Sequence, residues 1–202
     1  MRYTGHLDLH RAWERLMRRA GLPLAYTQGF SPHPRINLAS ALPLGFTGEA
    51  EVVDIWLEQD LSLDEITCTL DKAAPPGLKI CQVQAIDERA PTLQTILEAS
   101  DYLITLLEPV PNLDDRVKRL MESASLPRQR RGKDYDLRPL VLELNTLTDD
   151  ERSEQHLQTK LVAREGATGR PEELLDEMGI DPLAACVHRL GLVFKESELI
   201  GS

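Results

Sequence analysis

The chain has 202 residues, of which 42% are hydrophobic and 28% charged, enough apolar content to pack a core and too much for a disordered segment. Its 23 Lys and Arg against 33 Asp and Glu leave a net charge of −10, which excludes a uniformly basic nucleic-acid sleeve but not a local basic site. No apolar run approaches the roughly 20 residues of a membrane span, and no signal-peptide pattern opens the chain, so no membrane partner and a cytoplasmic location are expected.

The first predicted element is a helix from about Gly5 to Ala20, ended by Gly21 and Pro23. Leu9, Trp13, Leu16, Met17 and Ala20 make one apolar stripe, and Arg11, Arg15, Arg18 and Arg19 line another face. A Gly- and Pro-rich loop, Thr27 to Pro34, leads to two strand-like runs, Ile36 to Leu42 and Val52 to Leu57. Ser62 with Glu65 is a capping box that opens a helix to about Lys72, and Leu78 to Ile86 is a further strand candidate. Helix, strand, strand, helix, strand lacks only a leading strand, for which Met1 to Thr4 is the stump, to make a ferredoxin-like unit.

The second half repeats the pattern after a linker at Asp87 to Pro91 and a short helix from Thr92 to Ala99. Tyr102 to Leu107 alternates as a strand, and Leu113 to Ser123 reads as a helix. Leu140, Leu142 and Leu144 alternate, as do Leu157, Thr159 and Leu161, giving two strands. Pro171 suits a first helical position, and Arg189 to Lys195 reads as a last strand. The expected fold class is therefore α+β, two tandem ferredoxin-like (βαββαβ) units over 1–90 and 91–202, the first lacking most of its leading strand.

Charge is uneven along the chain. Residues 1–35 carry six arginines against Asp8 and Glu14, and the run RQRRGKDYDLR from Arg128 to Arg138 carries five cations against two aspartates. Two basic islands in an acidic chain suggest an anion site such as RNA backbone or a phosphorylated ligand; the competing reading is solvated faces and a loop. At the start of the first helix Gly5 and His6 would offer free backbone N–H groups to an anion, unless Asp8 satisfies them instead. His6 and His10 stand i, i+4, a metal-compatible spacing, yet no third ligand is near. In the loop TQGFSPHPR, Gln28, Gly29, Ser31, His33 and Arg35 suit recognition of a polar, anionic group on a stiff support; alternatively the loop only links helix to strand, with His33 packed on Phe30. Arg11, Arg15, Arg18, Arg128, Arg130, Arg131 and Lys133 complete the candidate ligand-binding set. Cys68, Cys81 and Cys186 form no CxxC pair and read as buried structural thiols, so no metal site is expected.

The segments RYTGHLDL, RRAGLP, YTQGFSPHPRI, ALPLG and EVVDIWL, with PRQRRGKDYDLRPLV and HRLGLVF further on, resemble a bacterial radical-SAM-linked domain of unknown function, encoded beside or fused behind a radical SAM protein. The likeness is dense from Tyr3 to about Leu57 and thins through the second half. Relatives of this kind carry a longer lead-in before GHLDL, which implies a fragment of a fusion protein or an abbreviated start, and an open sheet edge that invites a second copy of the chain to pair. Radical SAM chemistry uses an iron–sulfur cluster on three closely spaced cysteines, a triplet missing here. The resemblance therefore implies an accessory, non-catalytic domain that binds or presents substrate, RNA such as a tRNA or another anionic molecule, to a radical SAM partner; S-adenosylmethionine and the cluster would belong to that partner. Two alternatives stay open. One is a small metal-independent endoribonuclease with His6 or His33 as its catalytic group; the other is a protein–protein docking module for the radical SAM partner.

Overall fold

The computed structural model describes residues 6–149 and 154–195. In chain order its elements are helix α1 (His6–Arg19), strands β1 (Ile36–Leu38), β2 (Thr47–Gly48) and β3 (Val53–Ile55), helices α2 (Leu63–Ala73) and α3 (Leu93–Ile96), strand β4 (Leu97–Leu106) and helix α4 (Leu113–Glu122). Strands β5 (Pro127–Arg130) and β6 (Lys133–Asp136) follow, then a 3-10 turn at Arg138–Leu140 and strands β7 (Val141–Asp149), β8 (Glu154–Arg164) and β9 (Ala167–Thr168). Helix α5 (Pro171–Glu177), a 3-10 turn at Pro182–Ala184 and strand β10 (Ala185–Phe194) complete the order. The described residues sort into two compact α+β units: 6–45 with Glu51–Ile96, and Phe46–Ala50 with Leu97–Lys195. The division thus falls at Ile96, a few residues beyond the boundary expected from sequence, and a five-residue piece of the first half belongs to the second unit.

In the first unit, α1 and α2 present their apolar stripes to one core. Leu16, Met17, Leu22, Leu24, Ile66 and Leu70 are buried there, with Trp13, Ile36, Ile55 and Leu57 packed around them. The Ser62 half of the capping box forms, the Glu65 N–H donating to Ser62 Oγ at 3.2 Å. Strands β1 and β3 pair antiparallel, Ile36 opposite Ile55 and Leu38 opposite Val53. The ladder ends where Ala39 N–H bonds to the Val52 carbonyl, and Pro43 and Gly45 turn the chain away. The run Leu78 to Ile86 forms no strand among the described residues, a correction to the sequence reading. In a βαββαβ unit the fourth strand pairs only with the first, and Met1 to Thr4 lie outside the described residues. Leu78, Ile80 and Val83 still pack on the core. Cys68 and Cys81 are exposed rather than buried: Cys68 stands on the side of α2 away from Ile66 and Leu70, and Cys81 falls between the inward-packed Ile80 and Val83.

The second unit is ferredoxin-like in element order, β4-α4-β7-β8-α5-β10. Its sheet runs β2-β10-β4-β8-β7, with β9 added beside β8. The β10·β4, β4·β8 and β7·β8 pairs are antiparallel, whereas β2 joins β10 parallel. Tyr102, Ile104 and Leu106 of β4, Leu157 and Leu161 of β8 and Val187 of β10 are buried, as are Val117 and Leu120 of α4 and Leu174 and Leu175 of α5. Helix α4 is tied to the end of α5 where the Arg116 guanidinium donates to the carbonyls of Met178, at 2.9 Å, and Gly179, at 3.3 Å, just beyond the last turn of α5. Between α4 and β7 the chain inserts the β5–β6 hairpin, an element absent from the sequence reading.

Candidate functional site

The loop after α1 is built from its neck outward. Ala25 N–H bonds to the Trp56 carbonyl at 2.8 Å, Arg35 N–H to the Ala25 carbonyl at 2.8 Å, and Trp56 N–H to the Arg35 carbonyl at 3.2 Å. Tyr26 and Pro34 bridge above this base. One step further, Thr27 and His33 clasp twice: Thr27 N–H to the His33 carbonyl at 2.8 Å and His33 N–H to Thr27 Oγ1 at 3.0 Å. Within the clasp Gly29 adopts φ +133°, which L side chains rarely take, and Pro32 fixes its own φ. The outcome is a closed, stiff loop with Phe30 wholly exposed at 110% and Gln28, Ser31 and His33 exposed beside it in sequence. His33 therefore does not cover Phe30. Arg35 lies at the neck, its guanidinium 4.7 Å from the Trp56 ring centroid and 3.9 Å from the Glu88 carboxylate, so it braces the loop base.

Helix α1 buries Leu16 and Met17 and turns its arginines outward. Arg11 pairs with Asp8 at 3.5 Å and Arg18 with Glu14 at 2.6 Å. Arg15 and Arg19 are exposed, and no carboxylate among the described residues pairs with either. The last-turn cations Arg18 and Arg19 also complement the negative end of the helix dipole. Gly5 and the His6 side chain lie outside the described residues.

The second basic island has a different fate. Arg128 forms ion pairs with Asp176 and, at 3.1 Å, with Glu177; Arg130 forks onto Glu173, its Nε at 2.8 Å from Oε1, and donates to the Thr168 carbonyl at 3.0 Å. Burial acts to raise the Glu173 carboxyl, yet the Arg130 guanidinium overrides it and holds the group below its ordinary value. Arg130 also stacks 4.8 Å from the centroid of Tyr135. Two of the proposed ligand-binding arginines are thus neutralised by α5, because Asp and Glu recur along one side of that short helix. Arg131 and Lys133, at the tip of the hairpin, stay exposed. The candidate residues of α1 and its loop belong to the first unit, and those of the hairpin to the second.

Sequence reasoning missed a polar row on the sheet of the second unit. Glu143, Lys160, Asp101 and Gly191 stand opposite one another on β7, β8, β4 and β10 and line a cleft of ≈ 210 Å³ with Asn145 and Gln158. Lys160 Nζ sits 2.8 Å from Glu143 and 3.9 Å from Asp101. Burial pushes the Asp101 carboxyl up against the pull of Lys160. Period-two alternation on each strand was the available signal, but sequence alone did not supply the register that aligns the three charges. Among the described residues no three His, Cys, Asp or Glu side chains converge on a common point, and no helix is long and apolar enough to cross a membrane. With Cys68 on α2, Cys81 beyond it and Cys186 in the second unit, the donor set of this chain does not fit an iron–sulfur cluster.

No curated protein matches the chain. Among solved structures it is similar to a chain of "Crystal Structure of a Cbf5-Nop10-Gar1 Complex", at 14% identity and a TM-score of 0.47 over 93% of this chain. It spans only 46% of that longer chain. A sequence model covering residues 1–171 matches, and the chain accordingly belongs to the family described as "Uncharacterized protein conserved in bacteria (DUF2344)".

Proposed function

We propose that this chain is a non-catalytic substrate-binding module that presents RNA, such as a tRNA, to a radical SAM partner protein or domain in the cytoplasm. The partner would hold S-adenosylmethionine and the iron–sulfur cluster that this chain's cysteines do not fit. The observation that carries the RNA reading is the arginine face of α1. In a chain of net charge −10, Arg15 and Arg19 remain exposed without a carboxylate partner among the described residues, while Arg128 and Arg130 of the β5–β6 hairpin are neutralised. Unpaired arginines on a helix are free to displace counterions from a phosphate backbone. A nuclease reading through His33 has less behind it: among the described residues no side chain orients the His33 imidazole, while the side chain of His6, the other candidate, lies outside the described residues.

Binding of the full chain to a pool of bacterial RNA, at low and moderate salt, tests the proposal. Wild-type protein is expected to bind with an affinity that falls as salt rises, and Arg15→Glu with Arg19→Glu to weaken it by roughly tenfold or more at low salt. Equal binding by the double variant would reject this face. Failure of the wild-type protein to bind at low salt would reject RNA and favour the docking-module alternative.

A further inference from the structure

We infer that the clasped loop from Thr27 to His33 is a stacking finger for an unpaired nucleobase, with Phe30 as the platform; this rests on the RNA reading and names the form of RNA recognised. An entirely exposed phenylalanine is an apolar ring held in water with nothing folded over it. The double clasp between Thr27 and His33, the bridge between Tyr26 and Pro34, and Gly29 at φ +133° hold the segment in one conformation before any ligand arrives, so ordering it on binding costs little entropy. The neighbours of Phe30 in the loop decide what it meets. Gln28, Ser31 and His33 are exposed and each both donates and accepts hydrogen bonds. A nucleobase offers a π face to an aromatic ring and a polar edge to such groups at once. An apolar protein pocket that took Phe30 would strip water from those polar side chains without replacing it. A duplex keeps its bases stacked on one another, with no free π face along its length, so the finger selects single strands, loops or ends.

The test uses the full chain with two probes, a fluorescently labelled uridine oligomer of roughly 12 nucleotides and duplex RNA of the same length. Phe30→Ala and Phe30→Leu are each expected to weaken single-strand binding by roughly five- to hundredfold, whereas Phe30→Tyr keeps it and none of the three changes duplex binding. The leucine variant separates ring stacking from mere apolar bulk, and full exposure of the side chain means that no variant removes a packing contact. Unchanged single-strand binding by Phe30→Leu, or equal losses on both probes, would overturn the stacking finger and leave the RNA reading standing. Absence of wild-type binding to both probes would overturn the two together.

Discussion

Arg131 holds φ +50° and is followed by Gly132 at φ +77°, the pair of positive values that a tight two-residue hairpin turn demands between Arg130 and Lys133. Glycine takes that conformation freely; an arginine meets a clash between its Cβ and the following carbonyl. Asparagine tolerates the region better, so Arg131→Asn should raise stability by about 1 kcal/mol, read as a higher midpoint in urea unfolding; an unchanged or lower midpoint would count against the turn assignment. Glu173 makes a second prediction at this scale. Its carboxyl is held below its ordinary value in the folded chain, so the Arg130 pair adds stability above the ordinary carboxylate range and loses it as pH falls through the depressed value. Glu173→Gln should therefore cost about 1–2 kcal/mol at neutral pH, and the gap from wild type should close as pH falls below the ordinary carboxylate range and through the depressed value. A gap independent of pH would mean that the side chain acts through packing alone.

The same hairpin shows what could be read from the chain and what could not. Helix α1 was legible because its apolar residues recur at helical spacing, and α5 because Pro171 precedes two glutamates and a leucine pair. The order of β4, β7, β8 and β10 followed from alternating leucines and valines. Strands β5 and β6 left no such trace: PRQR and KDYD contain no apolar alternation, since what holds them is a set of ion pairs to a helix more than forty residues later. The only local sign was the Arg131-Gly132 turn, which a charge count reads as part of a basic patch. For the site, composition identified the loop and the arginine face but not which arginines would be neutralised. Pairing across distant elements is a property of the fold, and it removed Arg128 and Arg130 while leaving Arg15 and Arg19 exposed.

At the scale of the whole chain, the two units are not two consecutive stretches of sequence. Phe46, which precedes β2, is buried and meets Tyr102 of β4 edge to face at 6.4 Å between ring centroids. Removing that ring should be felt in the second half of the sequence although the residue lies in the first. Phe46→Ala is expected to cost about 3–4 kcal/mol and to speed hydrogen exchange in β4 and β10 while α2 keeps its protection. Faster exchange in α2, with β4 and β10 unchanged, would contradict the assignment of residues 46–50 to the second unit.

Strand β2 also imposes an order of events during synthesis. Thr47 Oγ1 lies 2.7 Å from His188 Nδ1, two residues separated by 141 positions, and among the described residues β2 has no ladder partner other than β10. A ribosome making roughly 5–20 residues per second needs on the order of ten seconds to travel that distance. Once it has left the ribosome, the segment around Thr47 waits with its pairing groups unfilled for the last strand of the sheet. Residues 46–50 are therefore open to capture by a chaperone or a neighbouring nascent chain until β10 has been made.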